Sequence, residues 1–142
     1  MKRSRIRRTP TFVDMAKAFG PVDAMLARLE QGWIHSIKGN PVFYNAPDST
    51  WYDIPAALEG WIALWQRIAE HKQLELDLQP MRLLAARLHH GTPITPDEVA
   101  RCVDIVTATK RHYRCMDVFD IGKLVKTQLI ANNLEEMGVT TT

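Results

Sequence analysis

From Ile54 to Ile68 an apolar residue returns every three or four positions, at Ile54, Leu58, Trp61, Trp65 and Ile68, with Ala57 and Leu64 widening the stripe. Glu59, Gln66, Arg67 and Glu70 occupy the other side. A stripe of this period belongs to an amphipathic helix, and its two tryptophans demand a covering layer of similar size. Asp53 can cap this helix and Pro55 fits its first turn, so it should run to about Lys72. The chain has 142 residues, 46% hydrophobic and 24% charged, which suits one globular core and excludes collagenous, disordered and disulfide-scaffold classes.

The remaining periodicities supply the cover. Thr11 to Phe19 predicts a short helix ended by Gly20-Pro21, and Pro21 then opens a second with Val22, Met25, Leu26 and Leu29 inward, stopping at Gly32. Aromatic and β-branched runs at 33–37 and 42–44 flank a Gly-Asn-Pro turn and predict a small hairpin. Asn45 to Thr50 is expected as a loop. Leu74, Leu76 and Leu78 alternate with Glu75 and Asp77, as in a strand, but Pro80 favours an extended connector into a helix from Pro80 to about His90. Thr95-Pro96-Asp97-Glu98 is a full capping box, starting a helix with Val99, Cys102, Val103, Val106 and Tyr113 inward. After a break near Met116-Asp117, a last helix is expected from about Asp120 to Met137, with Ile121, Leu124, Val125 and Ile130 inward and Gly138 as its stop.

The predicted fold is mostly α: a single-domain bundle of four to five helices with a small β-hairpin near residues 33–44. A basic arm (1–10) precedes the helical domain (11–138), and a short tail (139–142) follows it.

Charge is unevenly distributed. Lys2, Arg3, Arg5, Arg7 and Arg8 are five of the 18 basic residues, leaving 13 against 16 acidic residues elsewhere. A basic arm on a slightly acidic body suits phosphate contact, so these five are the candidate nucleic-acid-binding residues. Lys110, Arg111, Arg114, Lys123 and Lys126 could form a second basic patch near the junction of the last two helices, diluted by Asp104, Asp117 and Asp120.

Pro10, Asp14 and Lys17 interrupt any apolar stretch after Arg7-Arg8, which excludes a twin-arginine signal, and no run of about 18 apolar residues follows. Cys102 and Cys115 fit reduced thiols, so a cytoplasmic location is expected. Cys102 lies on an apolar stripe, whereas Cys115 follows three basic residues that could activate its thiol. His89 and His90 are adjacent and diverge on a helix, and His112 sits among cations, so neither pattern makes a metal site. No nucleophile elbow, dinucleotide loop, Walker lysine or Cys-His-Asn order is present, and no enzyme activity, cofactor or metal is expected.

All four tryptophans fall between residues 33 and 65. Trp51 and Tyr52, beside a polar loop, are candidate partner-binding residues, together with Arg111 and Arg114. The basic start from Lys2 to Arg8, the Trp-rich middle around Gly32-Trp33 and Gly60-Trp61-Ile62-Ala63-Leu64-Trp65, and the lack of catalytic motifs resemble small helical proteins carried by phages and plasmids of proteobacteria. The resemblance is one of style and implies a macromolecular interaction protein, for example an inhibitor or modulator of a host protein complex such as a defence system. A nucleic-acid-binding regulator using the arginine-rich arm is the alternative.

Overall fold

The computed structural model describes residues 8–32 and 34–126. Lys2, Arg3, Arg5 and Arg7 of the arm, Trp33, Ile130, Gly138 and the tail 139–142 lie outside the described residues. The elements are α1 (Phe12–Glu30), β1 (His35–Ile37), β2 (Asn40–Asn45), β3 (Thr50–Asp53), α2 (Ile54–Lys72), α3 (Gln79–His89) and α4 (Pro96–Arg114). A fifth helix, α5, begins at residue 118 and is described to 126. The fold is mostly α, as expected, with a small antiparallel sheet.

The two helices expected around Gly20-Pro21 are one. Pro21 lies inside α1, where it can donate no hydrogen bond to the preceding turn. A residue before proline is normally driven out of the helical region by its own Cβ, and Gly20 has none. The buried face of Phe19, Val22, Met25, Leu26 and Leu29 then holds the helix together against the core. At its start Thr11 and Asp14 form a reciprocal capping box. The Thr95 cap is simpler than expected. Its hydroxyl accepts from the Glu98 N–H at 3.2 Å, while the Glu98 carboxylate takes the Thr95 hydroxyl and pairs with Arg87 at 2.8 Å.

The hairpin is extended to a three-stranded meander in the order β1-β2-β3. The expected loop 45–50 is a 3-10 turn, Ala46–Asp48, and it ends in β3, whose last residue Asp53 caps α2 through the Ala56 N–H. Residues 74–78 are the extended connector, with Leu78 buried and Glu75 and Asp77 outward.

α2 packs on α3, α3 on α4, and α4 on α1, which also touches α2, while β2 lies against α1, α2 and α3. At the centre Phe19, Trp65 and Tyr113 meet with ring centroids 5.4–6.3 Å apart, joining α1, α2 and α4. Trp61 stacks on Trp65 at 5.9 Å but is only half-buried, so the expected core stripe turns slightly to bring in Ile62. Val103, expected inward, is exposed at the edge of the α4 stripe.

Candidate functional site

Two surfaces leave aromatic rings in water. The first is the outer face of the sheet. Tyr44 stands directly opposite Trp51 and Phe43 opposite Tyr52. Successive strand residues point to opposite faces, so Phe43 and Tyr52 turn toward the helices while Tyr44 and Trp51 face solvent. The outer pair touches, with ring centroids 5.2 Å apart, and remains 42% and 57% exposed. The register places His35, Ile37, Asn40, Val42 and Asp53 on the same face. Ile37 is 52% exposed. A solvated face of an antiparallel sheet is ordinarily polar, and this one is apolar and aromatic along its middle.

The turn before Trp51 is held by its own side chains. Ser49 adopts a left-handed conformation, and its N–H donates to the Ala46 carbonyl. Asp48 accepts from the Thr50 N–H at 3.1 Å and from the Tyr52 hydroxyl at 2.5 Å. The Tyr52 hydroxyl, aided by Asn45 and Thr50, holds the Asp48 carboxyl below its usual range. The same bond, with burial, raises the Tyr52 phenol above its ordinary value. Tyr52 therefore anchors the turn from the face of β3 opposite to that of Trp51, the residue grouped with it as a partner-binding candidate. The partner of Trp51 is Tyr44, which sequence reasoning missed.

The second surface lies where the chain's start meets α4 and α5. The Arg8 carbonyl accepts from the Val118 N–H at 2.9 Å, fastening the base of the arm to the start of α5. Arg8 also approaches Asp14 at 3.7 Å. The Thr11 N–H, joined by the Thr11 hydroxyl and the charges of Arg8 and Lys17, lowers the Asp14 pKa from its usual range. Phe12, on the first turn of α1, is 89% exposed. It lines a groove of about 450 Å³ with Met15, Asp23, Lys110 and Arg114, and a second of about 390 Å³ with Lys17, Pro47 and Asp48.

The expected basic patch is partly engaged and partly free. Lys110 pairs with Asp23 at 2.7 Å, whereas Arg111 and Arg114 are exposed and form no ion pair with a described residue. The acids expected to dilute it have local tasks. Asp117 is buried and accepts from the Phe119 N–H, and Asp120 pairs with Lys72 at 3.3 Å. Exposed Phe119 lines a further groove of about 460 Å³ with Val118, Gly122, Lys123 and Lys126.

His35 lies on the outer sheet face and Cys115 follows Arg114 at the end of α4. His89 and His90 meet edge-on at 5.1 Å at the end of α3, and among the described residues no group of three His, Cys, Asp or Glu side chains is placed to hold a metal. Cys102 is buried, its thiol donating toward the Pro80 carbonyl at 3.5 Å, and burial raises its pKa to about 11. Cys115 is exposed at the end of α4. No described helix is long and apolar enough to cross a membrane. Compared with known proteins, the chain matches no family model, no curated protein and no solved structure.

Proposed function

We propose that the protein is a non-enzymatic interaction module, acting in the cytoplasm, whose outer sheet face docks on a protein partner. The observation that carries this reading is the exposed Tyr44–Trp51 pair, set at directly opposed positions beside a turn fixed by Asp48. Rings held this way lose little entropy on binding and offer much apolar area, the properties of an interface anchor. None of the outer-face positions is a lysine or arginine, which favours an uncharged, apolar protein surface over a polyanion. The resemblance to phage- and plasmid-borne proteins makes a host protein complex the target of this docking, with the chain as its inhibitor or modulator.

A photo-crosslinking residue at position 51 should give one defined protein adduct in cells, and the same residue at exposed position 83 should not. The partner so identified, purified and titrated, should bind Trp51→Ala about 30-fold more weakly than the wild type, the equivalent of about 2 kcal/mol. Equal affinity for Trp51→Ala would overturn the reading.

A further inference from the structure

The end of the molecule around Phe12 has a chemistry that the sheet face lacks. Phe12 lines one groove with Lys110, Arg114 and Asp23 and another with Lys17 and Asp48, and it is the most exposed large apolar side chain among the described residues. A phenylalanine so placed contributes nothing to the core. Arg8, four residues earlier, is exposed, and its backbone is hydrogen-bonded to α5, whose own groove carries Phe119 with Lys123 and Lys126. Arg8 thus joins two places where an exposed ring lies among cations. Carboxylates offset part of this charge, since Asp14 lies 3.7 Å from Arg8, Asp23 pairs with Lys110 and Asp48 shares the Lys17 groove, and Arg111 and Arg114 are left exposed with no ion pair to a described residue.

We propose that this end binds single-stranded nucleic acid, with a base stacked on Phe12 and phosphates held by Arg8, Arg111 and Arg114. Rings on which bases stack, set in a groove whose cations track the backbone, are the two parts that sequence-tolerant single-strand recognition needs. A duplex keeps its base faces covered and cannot use Phe12. A protein partner would be expected at a drier surface, since charged side chains are depleted from the centres of protein interfaces.

The test uses the full chain and a fluorescein-labelled twelve-nucleotide oligo-dT, read by anisotropy from 50 to 200 mM salt. Wild-type protein should bind, with affinity falling steeply as salt rises. Phe12→Ala should weaken binding about five-fold or more with the salt slope unchanged, because stacking releases no counterions. Phe12→Trp should keep the affinity and Phe12→Leu should lose it, which separates stacking from simple apolar contact. Arg114→Ala should flatten the log–log slope by about 0.7, the single-strand value for one phosphate. Trp51→Ala should bind the oligonucleotide as the wild type does, so this proposal and the protein-docking reading stand or fall separately. No binding at 50 mM salt would overturn it. So would equal affinity for a duplex of the same length, or wild-type binding by both Phe12→Ala and Arg114→Ala, which would leave the arm as a nonspecific polycation.

Discussion

Trp51 on the sheet and Phe12 on α1 are both rings left in water at the edge of a rigid element, yet their neighbours differ in kind. Trp51 shares its face with Tyr44, Ile37 and Val42, and no lysine or arginine stands at a same-face position. Phe12 is flanked by Lys17, Lys110 and Arg114, with Asp23 and Asp48 in the same grooves and Asp23 paired to Lys110. The rings themselves supply comparable apolar area. What separates the two surfaces is the cost of drying what lies beside them: a cation gives up its water readily only to an anion, while the middle of the sheet face, where Ile37, Val42, Tyr44 and Trp51 stand, carries no cation. In both proposals the exposed aromatic residues offer contact area, and the adjacent charge selects the occupant.

The comparison requires both rings to lie outside the core, and the largest expected effect tests that. Trp65→Ala, which removes a ring packed on both Phe19 and Tyr113, should cost about 3–5 kcal/mol in urea denaturation. Half-buried Trp61→Ala should cost clearly less, and Trp51→Ala and Phe12→Ala should stay within about 1 kcal/mol. A loss at position 51 equal to that at 65 would make the sheet face a lid on the core.

Next in size is the capping control. Thr95→Ala should lose about 1 kcal/mol by leaving the Glu98 N–H without its partner, and should alter neither protein docking nor oligonucleotide binding. An unchanged denaturation midpoint would show that the bond contributes nothing.

Asp23→Asn sharpens the contrast further. It removes the partly exposed pair with Lys110, at a cost below about 1 kcal/mol, and frees one cation beside the Phe12 groove. Oligonucleotide binding should tighten at low salt while docking through Trp51 stays constant. Tighter docking as well would mean that the two surfaces are one.

The smallest effect is a pH dependence confined to the sheet. Asp48 has a folded pKa below its ordinary 3.8, so the stabilisation it supplies is present above that value and lost as pH falls through the folded one. Tyr52 has a folded pKa above 10, so its share is present below pH 10 and lost as pH rises through the folded value. The denaturation midpoints of wild type and Tyr52→Phe should differ by a constant amount from about pH 5 to 9 and converge at both extremes. A gap that persists at pH 2 would show that the hydroxyl acts through something other than Asp48.

Much of the helical framework was legible because its signals are local. The stripe from Ile54 to Ile68, the Asp53 and Thr95 caps and the alternation at 74–78 are each complete within a few turns of chain. Gly20-Pro21 misled for a local reason too: proline alone is a helix stop, but glycine before it removes the clash that would enforce one. Strand parity places Tyr52 on the opposite face from Trp51 once Thr50-Trp51-Tyr52-Asp53 is recognised as β3. The polar turn at 46–49 followed by two aromatic residues was the available signal.

The sequence by itself determined most of the helices, the greater part of their inward faces and the concentration of charge in the arm, because periodicity, capping and composition act between near neighbours. Only the tertiary structure decided that Tyr44 meets Trp51, that Arg8 is fastened to α5, and that Lys110 is engaged by Asp23 while Arg111 and Arg114 have no described ion-pair partner. Those contacts join residues from separate segments, the last of them 87 positions apart. Strand register and helix packing set such distances, and the pattern along any one segment leaves them open.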